Sequence, residues 1–280
     1  MSFESLRPLH AVERHFRGRH VLITGGSEGI GFALARRLVT YGAEVTLVAR
    51  NPSKLERARK VLLDEVAEAR VDCIDLDVSD AGAIADRLLR ALDGRPLDVL
   101  VNNAGVSRPG YFWDIPEADF QRMIEVNFSG AVQLTRALIP SLEQTRGHVV
   151  NVGSVSSVIG SLGHSAYCGS KFALYGFSDA LRAELRPRGV AVSIVLPPET
   201  ETKMLDGERP FLPKGAQALQ ESAGRLTADE VARATLRGVA RGDFEIVPGF
   251  LAQATVLASR LSPGLVRAYS DWVVRRAERT

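Results

Sequence analysis

The sequence predicts an α/β chain: a single doubly wound parallel sheet with helices on both faces, continued by a C-terminal helical tail. Three observations carry this. Short apolar runs of strand length recur along residues 20–195, and such runs suit strands buried on both faces. Stretches with helical spacing separate them, and strands alternating with helices fold as βαβ units around a parallel sheet. The first run ends in a glycine-rich turn that opens directly into a helix.

Taken in order, residues 1–17 are polar and are expected to form an irregular extension on the core. His20 to Thr24 reads as the first strand, Gly25-Gly-Ser-Glu-Gly-Ile-Gly31 as the turn, and Phe32 to Val39 as the first helix. Glycines let a backbone approach a phosphate, and a helix N-terminus offers unpaired N–H groups and the positive end of a dipole. Glycines also simply turn corners, so the setting matters. A second buried strand, Glu44 to Ala49, follows about one βαβ unit later and ends at Arg50. An acid there would bind the ribose hydroxyls of NAD, whereas an arginine pairs with the 2′-phosphate of NADP. Lys54, one helical turn on, adds a second cation. The alternative is that Arg50 is a solvated loop residue.

Residues 52–68 read as a charged amphipathic helix, and Val71 to Leu76 as the third strand, closed by Asp77-Val78. Asp77 either holds an adenine amino group or caps the helix that follows near Ser79-Asp80. A helix at 80–92 leads to the fourth strand, Leu97 to Val101, which ends in Asn102-Asn103-Ala104-Gly105. Small and amide side chains leave room there for a ligand at the carboxyl edge of the sheet. Residues 117–142 form a long helix in which Asn127 lies between Val126 and Phe128. A polar amide in that setting needs a partner: it is either a satisfied core residue or the holder of a water in a proton path.

The fifth strand, 147–152, ends in Gly153-Ser154-Val155-Ser156-Ser157, and a helix at 165–186 follows. The sixth strand, 190–195, runs into Leu196-Pro197-Pro198-Glu199-Thr200, where prolines stop it. Residues 203–226 are rich in Gly, Pro, Lys and Glu with little periodicity, which predicts a long loop; residues 200–226 are read as a substrate lid. Thr227-Ala-Asp-Glu230 has the form of a capping box opening a helix to about 241, and Phe244 to Val247 is the last strand. The tail, 249–280, is apolar from Phe250, with Tyr269, Trp272 and arginines along it; Arg260 and Pro263 oppose spanning. Such a segment suits a membrane surface, a partner protomer, or a place on its own domain.

Composition narrows the function. The chain is 45% hydrophobic and 24% charged with a net charge of +2, and no aromatic-studded basic patch is visible, so no nucleic-acid partner is expected. Cys73 and Cys168 provide neither a disulfide framework nor metal-ligand spacing, which suits a reducing cytoplasm and no metal. With no apolar leader core and no uncharged apolar run of about 18 residues, neither a secretory signal nor a spanning helix is expected.

The helix at 165–186 carries the chemistry. Residues four apart share a helix face, so Tyr167 and Lys171 point the same way. An ammonium beside a phenol stabilises phenolate and lowers its pKa from about 10, making Tyr167 a candidate proton donor near neutral pH. Alone, so short a pattern reads first as one more helix-surface contact.

Together, Thr24-Gly-x-x-x-Gly-x-Gly31, Asn102-Asn-Ala-Gly105, Asn127, Ser154 and Tyr167-x-x-x-Lys171 resemble the short-chain dehydrogenase/reductase family over about residues 18–200. The resemblance implies one Rossmann-type reductase domain spanning 1–280, with NADP(H) as cofactor. It implies that Tyr167 is the general acid and that Ser154, thirteen positions earlier, orients the substrate carbonyl. Lys171 would lower the tyrosine's pKa and hold the nicotinamide ribose, and Asn127 would hold a relay water. Gly25, Ser27, Glu28, Gly29, Ile30 and Gly31 would surround the pyrophosphate, and Asp77 and Val78 the adenine. Asn103, Ala104, Gly105, Pro197 and Thr200 count among the cofactor's neighbours. A homo-oligomer pairing through the helices at 117–142 and 165–186 is also implied.

A narrower resemblance, in Leu47-Val-Ala-Arg-Asn51 with Lys54, Pro197-Pro-Glu-Thr-Glu-Thr202 and the Arg-ending apolar tail, is to the 3-ketodihydrosphingosine reductases. It implies NADPH-dependent reduction of a long-chain sphingoid ketone at the cytosolic membrane face. Beside it stand another lipid, steroid or β-ketoacyl substrate, and a non-catalytic NADP-binding sensor, which has no use for a proton donor. Two departures are noted. Glu28 stands where a serine is usual, so its backbone is the part expected at the phosphates. The tail lacks the long uncharged segments of the eukaryotic enzymes, which argues against spanning and leaves peripheral membrane contact open beside a partner protomer or its own domain.

Overall fold

In the computed structural model, which describes residues 3–279, seven strands form one parallel sheet. They are β1 (His20–Thr24), β2 (Glu44–Ala49), β3 (Arg70–Asp75), β4 (Val99–Asn102), β5 (His148–Val152), β6 (Ala191–Val195) and β7 (Glu245–Ile246), in the order β3-β2-β1-β4-β5-β6-β7. Every residue of β1 and β5 is buried, because helices cover both faces and leave no solvent side on which polar residues could alternate. The order reverses between β1 and β4, and in open α/β sheets the ligand crevice opens at that switch point, beyond the carboxyl ends of the strands.

One face is covered by α1 (Phe3–Phe16), α2 (Gly29–Thr40), α3 (Pro52–Glu65) and α9 (Ala228–Arg241), which send Phe16, Leu34, Leu38, Leu62, Leu236 and Val239 into one apolar cluster. The other is covered by α4 (81–92), α5 (117–145) and α6 (Ser165–Leu185), through Leu88, Leu134, Leu138, Leu142 and Leu181. Local signals place the ends. Asn51 caps α3 by accepting from the Lys54 N–H at 3.0 Å, and Pro52 takes the first helical position. Thr227 and Glu230 form the expected reciprocal capping box on α9. Within α5 the ladder widens to a π-helical turn over Glu125–Ser129.

Two expectations are corrected. Residues 3–16 are helical, not irregular: Val12 and Phe16, four apart, are buried against the core beside α9. Met1 and Ser2 of the expected extension lie outside the described residues. Residues 203–226 are not a structureless loop either. They hold α7 (Lys203–Glu208), α8 (Lys214–Ala223) and the short strand Leu226–Thr227, which pairs with Thr200–Glu201. The tail forms α10 (Phe250–Leu261) and α11 (Pro263–Glu278), which pack on each other, with α11 against α8. Ala252 and Val256 are buried, while Phe250, Leu261, Leu265 and Trp272 are exposed. Thr280 lies outside the described residues. None of the described helices is long and apolar enough to cross a membrane.

Candidate active site

A cleft of about 470 Å³ opens at the carboxyl edge of the sheet. Its floor is the glycine turn after β1, where Gly25 and Gly29 take φ of +64° and +60°, values that favour glycine. Thr24 ties this turn to the end of β4: its Oγ1 accepts from the N–H groups of Asn103 and Ala104 at 3.0 and 2.9 Å. The Asn103 amide donates back to the Thr24 carbonyl at 2.8 Å. α2 begins without a side-chain cap, since its N-cap residue Glu28 makes no such bond. Its first-turn N–H groups therefore face the cleft with anion-binding capacity intact.

Gly25, Ser27, Glu28, Gly29 and Ile30 line the cleft, but Gly31 does not. A Cβ on Gly31 would stand 2.4 Å from the Gly25 carbonyl oxygen and 2.5 Å from the Asn103 amide nitrogen. Gly31 thus lets helix and turn close on each other rather than meeting a ligand. Gly31→Ala should cost roughly 1–3 kcal/mol of stability from overpacking, read as a lowered midpoint in urea unfolding.

At the far end of the cleft lie Arg50, Lys54, Asp77 and Val78. Arg50 is largely exposed, with Nη1 4.0 Å from Asp77 Oδ2. Lys54 is engaged: its Nζ donates to both Glu28 oxygens at 3.0 and 3.1 Å, and Lys203 of α7 lies 3.8 Å from the same carboxylate. Of the two roles weighed for Asp77, capping α4 belongs instead to Asp80, which accepts from Ala83 N–H at 3.0 Å. Asp77 Oδ1 accepts from Ser79 and Oδ2 from Arg122 at 2.6 Å. Burial opposes the charge of Asp77, but these hydrogen bonds overcome it and hold its carboxyl below the usual range.

At the near end the cleft brings together Asn103, Ala104, Gly105, Ser154, Tyr167, Lys171, Pro197 and Thr200. Ser154 lies beside the Tyr167 phenol, where its hydroxyl favours the phenolate form, and its Oγ accepts from Ser156 N–H at 3.1 Å. Lys171 is 3% exposed and its Nζ donates to the Val152 carbonyl at 2.8 Å, 5.7 Å from the centre of the Tyr167 ring. The expected acidification of the phenol is corrected here. Burial, aided by the Glu208 charge, pushes the Tyr167 pKa upward against the Ser154 hydroxyl. Burial also pulls Lys171 down to about 8. Two groups packed out of water favour their neutral forms before they favour an ion pair.

Asn127, in the π-helical turn, sits behind the cleft rather than lining it. Its Oδ1 accepts from Val106 N–H at 2.8 Å, and its Nδ2 donates to the Val106 carbonyl and to Ser170 Oγ, both at 3.0 Å. Ser170 Oγ in turn donates to the Tyr167 carbonyl at 2.7 Å. The amide is satisfied by protein and clips the loop after β4 to the helix that carries Tyr167.

Sequence reading missed His164, Glu199, Lys203 and Glu208, which share the cleft, and Arg122, which holds Asp77. His164 was adjacent to the tyrosine motif. Glu208 had no signal, because the segment around it was read as a loop.

Comparison with known proteins agrees with this geometry. The short chain dehydrogenase family profile matches residues 19–212. The chain belongs to the short-chain dehydrogenase family and is an oxidoreductase. Within the family it resembles the 3-ketodihydrosphingosine reductases: it is 35% identical over 232 residues to the Bos taurus protein of that name, covering 81% of this chain and 70% of that one. A short chain dehydrogenase/reductase from Burkholderia phymatum in complex with NAD superposes with a TM-score of 0.77 at 27% identity, over 90% of this chain and 96% of the other. A short-chain dehydrogenase from Sphingobium yanoikuyae in complex with NADPH gives 0.74 at 28% identity, over 88% and 94%.

Proposed function

We propose that the chain uses NADPH to reduce a lipophilic ketone to a secondary alcohol, with 3-ketodihydrosphingosine as the substrate. The observation that carries the reaction type is the meeting of Ser154, Tyr167 and buried Lys171 at one end of a cleft whose other end is a glycine cradle. The uncapped N-terminus of α2, the left-handed glycines Gly25 and Gly29 of the turn that opens it, and the cations Arg50 and Lys54 fit a dinucleotide with a 2′-phosphate. Relatives named for 3-ketodihydrosphingosine reduction support the choice of substrate.

The reduced nicotinamide supplies the hydride when bound. The chain's own residues handle the oxygen. The Ser154 hydroxyl donates to the substrate carbonyl and stabilises the charge growing on it. The Tyr167 phenol, kept neutral by burial, gives its Oη proton to the nascent alkoxide, a far stronger base. Lys171 Nζ, four residues along the same face, stabilises the phenolate left behind. Asn127 keeps the loop and helix in register.

Residues 200–226 act as the lid over the substrate. Exposed Phe250, Leu261, Leu265, Tyr269 and Trp272, with Arg267, Arg275 and Arg276 nearby in sequence, would place α10 and α11 on a membrane surface. Homo-oligomer formation through α5 and α6 belongs to the same reading.

Two measurements test it. NADPH consumption is expected to be faster with 3-ketodihydrosphingosine than with short polar ketones; the reverse order rejects the lipid substrate and leaves the reductase class intact. Arg50→Asp is expected to move the ratio of kcat/KM for NADPH over NADH down by roughly 10- to 150-fold, as loss of a charge-assisted contact worth about 1.5–3 kcal/mol requires. A wild-type chain that uses NADH equally well contradicts the 2′-phosphate assignment.

A further inference from the structure

Resting on the reductase reading above, we infer that the Glu208 carboxylate is the group that receives the positively charged amine of the amino ketone named there, beside its carbonyl. Glu208 ends α7, is 9% exposed and lines the same cleft as Tyr167. Its nearest basic group among the described residues is His164, buried with it, whose Nε2 lies 3.7 Å away. Burial pulls the His164 pKa down but Glu208 raises it, so a substrate ammonium takes the place of the histidine's proton as the carboxylate's partner. A second carboxylate lines the cleft. Glu199, its side chain 8% exposed, has Oε2 held by Arg225 Nε at 2.9 Å, while Oε1 is buried without a hydrogen-bond partner.

Negative charge in this position works against the reaction of a neutral ketone. The Glu208 charge already disfavours phenolate at Tyr167, and it opposes the alkoxide that develops next to that phenol. Buried carboxylates persist where something positive meets them. An ammonium on the carbon next to the carbonyl would pair with Glu208 and compensate the growing oxyanion from the substrate side. It would also offer a donor to Glu199 Oε1. The same cleft is lined by Leu162, Leu205, Ala216, Leu219 and Ala252, which supply apolar surface for an alkyl chain.

The test compares a long-chain 2-amino-3-ketone with the desamino 3-ketone of the same length, as kcat/KM with NADPH in wild type and variants. Wild type is expected to prefer the amino ketone. Glu208→Gln is expected to lower that preference, read as the ratio of the two kcat/KM values, by roughly 10- to 100-fold. Glu208→Asp, which keeps the charge, is expected to restore most of it. If Glu208→Gln lowers both values by the same factor, Glu208 only positions the lid and the inference is overturned. An unchanged ratio in a variant with wild-type melting behaviour overturns it equally. A wild type indifferent to the amine removes the inference and leaves the reductase reading standing, whereas no NADPH consumption with either ketone removes both.

Discussion

Tyr167→Phe is expected to lose turnover by roughly 100- to 10,000-fold, the range that a positioned general acid contributes, while NADPH binding is retained. The phenol lines the cleft beside Ser154 and stays protonated at neutral pH. Its pKa is raised by burial, opposed by the Ser154 hydroxyl. Removing Oη leaves Ser154 able to donate to the carbonyl oxygen, so some polarisation survives and no proton is delivered. The fold should suffer by only about 1 kcal/mol for the lost hydroxyl. Steady-state kinetics and a fluorescence titration with NADPH separate the two effects. Undiminished ketone reduction by the variant would reject the assignment.

Lys171→Met is expected to do two opposite things: abolish turnover and stabilise the chain without cofactor. The ammonium is packed away from water with one carbonyl, that of Val152, as partner. Its pKa falls from 10.5 to about 8. Between those values the unfolded chain holds a proton that the folded chain has released, so stability rises with pH across that window. Below pH 8 the folded state bears the full penalty, on the order of 3 kcal/mol. Methionine removes that penalty but orphans the Val152 carbonyl, so the net gain at pH 7 is about 2 kcal/mol. The gain should vanish by about pH 10, where wild type has lost the buried charge. Cys73, Cys168 and Tyr167 have raised pKa values and titrate with the opposite sign; they cancel in the difference between the two proteins. Calorimetric melting at pH 7 and pH 10 reads the result. A variant less stable than wild type at pH 7 would contradict it.

The strands were legible because burial on both faces writes itself as an unbroken apolar run, as in Val21, Leu22 and Ile23. The caps of α3 and α9 were legible because the bonds that make them span three residues. What escaped depends on distant partners. α7 and α8 are interrupted in sequence by Gly207, Pro210, Pro213 and Gly215, and such short pieces are held by tertiary packing rather than propensity. Gly215 is where α8 comes close to α11, for a Cβ there would meet Val274 at 3.1 Å. The tyrosine motif had the same limit. Spacing of four says that Tyr167 and Lys171 share a face, but not that the lysine turns to a carbonyl of β5. Nor does spacing show that Glu208 arrives beside the phenol.

The π-helical turn at Glu125–Ser129 carries one residue more than a regular ladder would need. A regular helix advances about 100° per residue, so an extra residue added without widening the turn would rotate Leu134, Leu138 and Leu142 away from the sheet they now cover. The wider turn takes up that surplus locally and leaves the leucines in phase. The irregularity that presents Asn127 to its partners is therefore also what absorbs the residue it presents, so the rest of α5 is aimed as an uninterrupted helix would aim it.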